Sequence, residues 1–305
     1  MEADTARLPG IAFRRLGEGD REQILAVTAE VWEGTDYIPG VLDEWLAPGA
    51  PALVGAWTGA SLAALARLDL PVPGYAWLEG LRTHHAWRSR GIGRALAEHV
   101  LAVAVELGAR RAGASVYTDN EPSQRLMRGL GFEPVAGFIY LTAEPSRGPM
   151  QAAPAHEVEP VPSPEAAEFI ARSAALRRGS GFLPNSWRFL RFDPGSAVAV
   201  GRMRQLAGIR RNGSLAALMA IGEPIHGPTE ACIDFLDGDA EDIALLVRHA
   251  RHLCRDLSLL ECMLPGDSES ASAALEALLA SGFETWNQGR PDVLVLERDL
   301  PLATS

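Results

Sequence analysis

Lysine is absent from this sequence, and all 28 residues counted as lysine or arginine are arginines. Without a lysine amine, no side chain can form a Schiff base, which excludes that class of covalent catalysis. Cysteine is scarce: Cys232, Cys254 and Cys262 are the three that occur, and they show no CxxC spacing. They are typical of reduced core thiols in a cytoplasmic protein, so we expect neither a disulfide nor a metal site.

Long apolar runs are also missing, since no segment reaches the roughly 20 apolar residues of a membrane span. The opening stretch MEADTARLPG has no basic region followed by an apolar one, so no secretory signal is expected. Acidic residues outnumber basic ones by 39 to 28, which gives a formal net charge of −11. Because such a chain repels nucleic-acid phosphates, we expect no nucleic acid and no membrane as partner. A small molecule that carries an amine is the expected partner.

The length of 305 residues favours two domains. Residues 146–164 are rich in proline and small residues and lack apolar periodicity. They are therefore predicted to form a linker between domains at 1–145 and 165–305.

Three short motifs recur in the same order in both halves. They are SLAAL at 61–65 and 214–218, the steps Tyr37-Ile38-Pro39 and Phe182-Leu183-Pro184, and GFE at 131–133 and 282–284. Their shared order indicates a tandem duplication.

Hydrophobic periodicity predicts the elements of the first half. A strand at Ile11–Leu16 precedes a helix that begins with a capping box of Asp20 and Gln23 and continues to about Trp32. The remaining predictions are a short helix near Val41–Leu46, two strands that turn at Thr58–Ala60, a strand at Tyr75–Thr83, a helix from about Ile92 to Leu107, a strand at Ala114–Thr118, a helix from about Glu121 to Leu130, and strands through FIYLTA. This order predicts a mixed α/β domain on one curved sheet.

The stretch HAWRSRGIGRAL, residues 85–96, joins a predicted strand to a predicted helix. Gly91 and Gly93 let backbone N–H groups approach a ligand without a Cβ in the way. The first helical turn adds unpaired N–H donors and the positive end of the helix dipole. Three arginines would be unfavourable at such a helix start without a bound anion, namely Arg88, Arg90 and Arg94. The stretch therefore predicts a pyrophosphate-binding loop, although it is neither a P-loop nor a GxGxxG motif.

This loop resembles the acyl-CoA loop of the GNAT family of N-acetyltransferases, whose pattern is Arg/Gln-x-x-Gly-x-Gly/Ala. WLEGLRTHHAWR is similar to the fourth strand of that family, and NEPSQRLMRGLGF, residues 120–132, to its Asn-x-x-Ala/Ser…Gly-Phe segment. The resemblance covers residues 11–142. It implies the α/β (α+β) fold class, with two tandem GNAT-like domains, each a mixed, mostly antiparallel curved sheet flanked by helices. DYIP followed by VLDEWL is also similar to bacterial relatives of vertebrate histidine N-acetyltransferase.

The resemblance implies acetyl-CoA, or another acyl-CoA, as co-substrate and no metal. Backbone groups of Leu81, Arg82 and Thr83 would pair with the pantetheine arm like an added strand, and Asn120 would bind near its thioester end. Amides of the loop would hold the pyrophosphate, from Arg88, Ser89, Arg90, Gly91, Ile92, Gly93 and Arg94. An amine would attack the thioester directly in a ternary complex.

Glu79 is the predicted general base, because the acceptor amine must lose a proton and this strand is expected to lie close to the thioester. A carboxylate that recognises a cationic acceptor, or one on a solvated strand face, is the alternative. His84 and His85 are weaker candidates for the base. Tyr37 is expected to border the acceptor pocket together with Glu79, whereas Trp45 is more typical of a core aromatic.

Met127 stands where many family members have a tyrosine that protonates the leaving thiolate. Methionine cannot donate a proton. Tyr117, Ser123 or water would substitute, or the thiolate would leave unassisted.

In the second half, residues 237–242 stand where a second anion-binding loop would fall. Their four carboxylates suit a capped helix start and would repel a pyrophosphate, so the second domain resembles a degenerate copy. The sequence thus predicts an acyl-CoA-dependent N-acyltransferase for a small-molecule primary amine, acting as a monomer or homodimer. A non-catalytic acyl-CoA-binding or sensing protein and a protein or peptide N-acetyltransferase are the alternatives.

Overall fold

The computed structural model describes residues 10–145, 157–192, 203, 205–222, 229–266 and 273–301. Residues 146–156 of the predicted linker and the first nine residues lie outside these ranges. The described residues divide into two compact units. Unit 1 comprises 10–114, 125–133 and 297–301, and unit 2 comprises 115–124 and the described part of 134–296.

These units alternate along the chain. They differ from the predicted domains, 1–145 and 165–305, in the segments 115–124, 134–145 and 297–301. The predicted division concerns the duplicated segments and the units concern packing, so the domain bounds stay a prediction.

Unit 1 is built on a mostly antiparallel sheet. Its strands are β1 (Ile11–Arg15), β2 (Ala52–Thr58), β3 (Ser61–Val72), β4 (Tyr75–Thr83) and the first part of β5 (Arg111–Tyr117). They neighbour one another in this order, and only the pairing of β4 with β5 is parallel. The helices are α1 (Arg21–Thr28), α2 (Ile38–Leu46), α3 (Ile92–Glu106) and α4 (Glu121–Gly129), the last shared between the units. The predicted α/β (α+β) fold class is confirmed.

The predicted capping box at the start of α1 is wrong. The Asp20 carboxylate forms no cap on α1; it pairs with Arg14 at 2.7 Å and accepts the Gly17 N–H at 3.0 Å. The Gln23 side chain accepts the N–H of Leu62 at 2.8 Å and thereby ties α1 to the turn between β2 and β3. Arginine and strand partners distant in sequence therefore outcompete the local cap.

Two helix predictions also need correction. α1 ends at Thr28 instead of Trp32, because Trp32 and Glu33 take left-handed backbone angles, with φ of 47° and 58°. Leu107, the predicted last residue of α3, follows the last helical residue, Glu106, and is 57% exposed. Small residues such as Ala104 continue the buried face instead.

Unit 2 also has a mostly antiparallel sheet. Its elements are β6 (Glu133–Ala143), β7 (Glu159–Pro160), α5 (Ser163–Arg172), α6 (Ala174–Arg178), β8 (Phe182–Asn185), β9 (Arg188–Arg191), β10 (Gln205–Arg211), β11 (Ser214–Ile221), β12 (Glu230–Asp237), α7 (Ala240–Leu253), β13 (Leu259–Pro265), α8 (Ala273–Ala280), β14 (Glu284–Thr285) and β15 (Val293–Asp299). The first residue of β6 and the last three of β15 belong to unit 1. The strand order is β6-β13-β12-β11-β10-β7, and the β12–β13 pair is parallel.

One order of elements occurs twice, as β2-β3-β4-α3-β5-α4 and as β10-β11-β12-α7-β13-α8. SLAAL begins β3 and β11, and GFE follows α4 and α8, in agreement with the predicted duplication. The third motif is not structurally equivalent, because Tyr37-Ile38-Pro39 opens α2 whereas Phe182-Leu183-Pro184 lies in β8.

The three cysteines are buried, and within the described residues they form no disulfide bond. Within the described ranges, no three His, Cys, Asp or Glu side chains are grouped so as to hold a metal ion. None of the helices described is both long enough and apolar enough to cross a membrane.

Candidate functional site

A bulge in β4 sets the geometry of the candidate site in unit 1. Arg67 of β3 lies opposite Glu79, whereas Leu65 lies opposite Arg82, so β4 has an extra residue between these pairs. Gly80 occupies the bulge with a φ of +64°. A Cβ there would lie 2.7 Å from Cη2 of Trp45. Glycine is therefore needed both for the backbone angle and for the contact with the indole.

β4 pairs with its parallel neighbour only near its start. The β4–β5 pairs are Tyr75 with Arg111, Ala76 with Ala112 and Trp77 with Gly113. From Glu79 to Thr83 the described ladder partners of β4 lie on β3. This stretch contains the residues predicted to pair with pantetheine, Leu81, Arg82 and Thr83, and all three are partly exposed.

Glu79, the predicted base, forms an ion pair with Arg67 across the β3–β4 ladder. The Glu79 side chain is 11% exposed and that of Arg67 is 2% exposed. The Arg67 guanidinium also lies 4.9 Å from the ring centroid of Trp45. The structure thus rules out a solvated carboxylate, and it gives Glu79 a structural partner in addition to any role in catalysis.

The start of α3 has the properties of an anion-binding site. Gly91 is the N-cap residue, with a φ of +76°, and neither a capping side chain nor an acid of the first turn satisfies the N-terminal amides of α3. Ser89 also has a left-handed φ, of 61°. Gly93 lies so close to β4 that a Cβ would be 2.9 Å from Oγ1 of Thr83. The helix start therefore presents amide donors and the positive end of its dipole beside the end of β4.

The three arginines of the loop have different partners. Arg88 donates from Nε to the carbonyl of Thr83 at 3.3 Å, and Arg90 lies 5.0 Å from the ring centroid of Trp87. Both side chains are exposed and have no described ion pair. Arg94 instead pairs with Glu98 at 2.9 Å and donates to the carbonyl of Gly129 at 2.9 Å. Positive charge at the loop thus comes from Arg88 and Arg90, and Arg94 fixes the end of α4.

Sequence reasoning missed a second ion pair of unit 1. Asp36 accepts two hydrogen bonds from Arg82, at 2.8 and 3.1 Å, and its side chain is 1% exposed. Burial lowers the pKa of the Arg82 guanidinium, but the hydrogen bonds and charge interactions with Asp36 and Tyr37 together outweigh it and raise that pKa. The Arg82 guanidinium also lies 4.5 Å from the Trp32 ring centroid and 5.5 Å from that of Tyr37. The side chain of Arg82 therefore has a structural role, since it holds Asp36. Only the backbone of Arg82 remains available to bind a ligand.

The remaining candidate residues of unit 1 differ in their burial and in their partners. Tyr37 is partly buried, and its ring meets that of Trp45 edge-on at 6.0 Å. Trp45 is 2% exposed and lies in the core, as expected. His84 Nδ1 accepts the N–H of Ala86 and so caps a short 3₁₀ turn, while His85 lies 2.9 Å from Glu30.

Three predicted site residues belong to unit 2. Asn120 Oδ1 accepts the backbone N–H of Ser123 at 3.1 Å, so Asn120 caps the start of α4. The ring of Tyr117 contacts that of Trp187 edge-on, with 4.9 Å between centroids. Met127, in unit 1, is 6% exposed and has no proton to donate. The roles of Tyr117, Asn120 and Ser123 in acyl transfer stay predictions.

The corresponding loop of unit 2 has the opposite chemistry. The Asp239 side chain caps α7 by accepting the N–H of Asp242 at 3.0 Å, and Asp242 pairs with Arg211. The first turn of α7 contains Glu241 as well. At the start of α7, carboxylates therefore lie at the N-terminal amides, whereas the corresponding amides of α3 have no side-chain cap.

Known proteins resemble this chain in sequence over one segment and in fold over most of its length. Residues 21–132 match the model of the Acetyltransferase (GNAT) family, and this segment contains β4, the bulge, the anion-binding loop and α3. The match covers little more than a third of the chain, and it shows that this segment is similar to the GNAT domain of acetyltransferases.

Solved structures extend the likeness to both halves. A GCN5-related N-acetyltransferase from Sphaerobacter thermophilus is 16% identical, with a TM-score of 0.65 over 96% of this chain and 97% of that one. A putative acetyltransferase from Thermoplasma acidophilum is 18% identical, with a TM-score of 0.59 and coverage of 94% and 99%. A tandem GNAT protein from the clavulanic acid biosynthesis pathway is 18% identical, with a TM-score of 0.57 and coverage of 97% and 99%. At identities this low, the structural likeness shows the fold alone. None of the curated proteins gives a significant match.

Proposed function

We propose that the protein is a cytoplasmic, acyl-CoA-dependent N-acyltransferase that transfers acetyl from acetyl-CoA to a primary amine of a small molecule. The observation that carries this proposal is the uncapped start of α3, between Gly91 and Arg94, with exposed Arg88 and Arg90 beside it. Helix N-termini of this kind bind phosphate groups through backbone amides and the helix dipole. A diphosphate also offsets the two arginines that lie close to the positive end of the helix.

The second part of the co-substrate site is the end of β4. Leu81, Arg82 and Thr83 lie beyond the last β4–β5 pair, where an extended pantetheine arm can add as a strand. The contact between Gly93 and Thr83 brings this strand end to the helix start. One acyl-CoA molecule would therefore lie along β4 with its diphosphate at α3.

The acceptor would be held near Tyr37 and Glu79. Its nitrogen attacks the thioester carbonyl carbon, the carbon–sulfur bond breaks, and the thiolate leaves with the bonding electron pair. Glu79 accepts the proton of the attacking amine, directly or through water. Tyr117, Ser123 or water supplies the proton of the thiol product.

Calorimetry with acetyl-CoA and with free CoA tests the co-substrate site. We expect binding of one molecule per chain, because carboxylates occupy the equivalent helix start of the second half. Arg90→Ala should weaken binding and reduce its salt dependence, while Arg15→Ala, which removes an exposed arginine of β1, should not. The absence of any binding heat would overturn the proposal, and two sites per chain would overturn the degenerate second copy.

Release of free thiol in the presence of a panel of amines tests the reaction. Release with small amines supports the proposal, and release only with peptides would replace it by a peptide N-acetyltransferase. Acetyl-CoA binding without thiol release for any acceptor would leave a binding or sensing protein. Size-exclusion chromatography would decide between a monomer and a homodimer.

A further inference from the structure

Unit 2 contains a cluster of aromatic rings, of which the proposed acyl transfer involves one, Tyr117, as a candidate proton donor. The cluster consists of Tyr117, Tyr140, Trp187 and Trp286. The Trp286 ring stacks on Tyr117 with 6.0 Å between centroids and lies 5.8 Å from Tyr140, which in turn lies 4.9 Å from Trp187. Trp286 is 68% exposed, the most exposed of the large hydrophobic residues described. An exposed indole on buried rings leaves electron-rich ring faces at the surface of the unit.

Two buried carboxylates, those of Asp234 and Glu261, lie next to this cluster. Glu261, 4% exposed, accepts the hydroxyl hydrogen of Tyr140 at 2.5 Å. Asp234, 1% exposed, accepts the N–H of Ser186 at 2.7 Å, and the next residue is Trp187. Glu261 is therefore bonded to a ring of the cluster, whereas Asp234 is bonded to the backbone of the residue that precedes Trp187.

Neither carboxylate has a counter-charge. Among the described residues, no arginine or histidine forms an ion pair with Asp234 or Glu261. The buried Oδ2 of Asp234 has no donor in hydrogen-bonding geometry. The Cys232 thiol and the Asn185 amide lie close enough to favour its ionised form. Burying a carboxylate without a cation is costly, and an orphaned oxygen adds to the cost.

We propose that this cluster binds an organic ammonium ion, a small molecule with a protonated primary or secondary amine. Ring faces attract such cations, and the attraction is strengthened by negative charge beneath the rings. The two ionised carboxylates would supply that negative charge, and among the described residues no three His, Cys, Asp or Glu side chains are grouped so as to hold a metal ion. The site would be a ligand site of unit 2 in its own right, and its occupancy needs no acyl-CoA.

Protons compete with the cation for this site. Burial raises the pKa of Glu261 to about 7, helped by Glu230, while the bond from Tyr140 lowers it. Burial likewise raises the pKa of Asp234 to about 7, with Glu261 adding to the rise. The groups that face this pair are Tyr140 of β6, Glu230 and Cys232 of β12, and Trp187 of the β8–β9 turn. Because the ionised carboxylates attract the cation, affinity should increase between pH 6 and pH 8, where a simple alkylamine stays protonated.

Calorimetry without any CoA tests the site, with 2-phenylethylammonium as the probe and 2-phenylethanol as its uncharged counterpart. We expect the amine to bind about tenfold more tightly than the alcohol. Trp286→Ala and Glu261→Gln should each weaken amine binding by a similar factor and leave binding of the alcohol nearly unchanged. Leu279→Ala, which removes another exposed side chain of unit 2, is the matched control and should have no effect.

Equal affinity for the amine and the alcohol would overturn the proposal, as would an unchanged amine affinity in Trp286→Ala. If Glu261→Gln fails to fold, Trp286→Ala and the pH dependence still decide, because an exposed indole is not needed for folding. Failure here leaves acetyl-CoA binding untouched, since the loop and strand end proposed for that binding consist of unit 1 residues. Loss of acetyl-CoA binding would in turn leave this result valid.

Discussion

The Glu79 carboxylate is buried against Arg67 and is also proposed as the base. Substitutions in this pair should therefore change both the stability of the protein and its turnover. Arg67→Met leaves the Glu79 charge, 11% exposed, without its partner. Removing one member of a buried pair typically costs about 3–5 kcal/mol. That is a large part of the roughly 5–15 kcal/mol by which a folded protein is stable. The double variant Arg67→Met/Glu79→Leu replaces both charges by apolar groups and should regain most of this loss.

Urea unfolding followed by circular dichroism measures these free energies of unfolding. Glu79→Gln keeps an oxygen that accepts from Arg67, so it should cost less than Arg67→Met. Additive losses in the double variant would refute a coupled pair.

Turnover separates the catalytic role from the structural one. At a temperature where Glu79→Gln is fully folded, kcat should fall about 10²- to 10⁴-fold if Glu79 is the base, while acetyl-CoA affinity stays nearly unchanged. A folded variant with the wild-type kcat would remove Glu79 from the mechanism and leave it as the partner of Arg67.

Three further predictions concern stability in urea. Gly80→Ala should cost about 2–4 kcal/mol, because a left-handed φ and a Cβ 2.7 Å from Trp45 act together, whereas Gly74→Ala, with a φ of +78° and no close neighbour, should cost only about 1–2 kcal/mol; equal losses would contradict the proposed contact. Asp239→Ala should cost about 1 kcal/mol by removing the cap of α7, and no change would show that the cap is dispensable. Asp234→Asn should become more stable relative to wild type as the pH rises. The folded-state pKa of Asp234, about 7, exceeds the ordinary value of 3.8, so its contribution to wild-type stability is highest at low pH and falls by about 3 kcal/mol between pH 5 and 8. A pH-independent difference between the two proteins would contradict this prediction.

Local patterns in the sequence predicted most of unit 1. The strand at Tyr75–Thr83 and the start of α3 at Ile92 occur as expected, because glycine spacing and apolar periodicity act over a few residues. The N-terminal bound of α4 was equally accurate.

Partners distant in sequence could not be predicted. Arg67 and Asp36 are ordinary charged residues until the β3–β4 register and the entry to α2 bring them to Glu79 and Arg82. The capping box failed for another reason, since Asp20 pairs with a nearby arginine of β1, Arg14, instead of with the helix start. The hydrogen bond between Tyr140 and buried Glu261 also joins residues far apart in the sequence, so no local pattern predicted it.

The last described residues have a consequence for biosynthesis. Leu300 donates its N–H to the carbonyl of Arg110, Asp299 pairs with Arg111, and Arg298 donates to the carbonyl of Leu130. The ribosome therefore has to translate all of unit 2 before unit 1 receives its final strand. An early nascent chain holds the segment that resembles the GNAT family in an unfinished form, and a fragment that stops at residue 145 would keep it so.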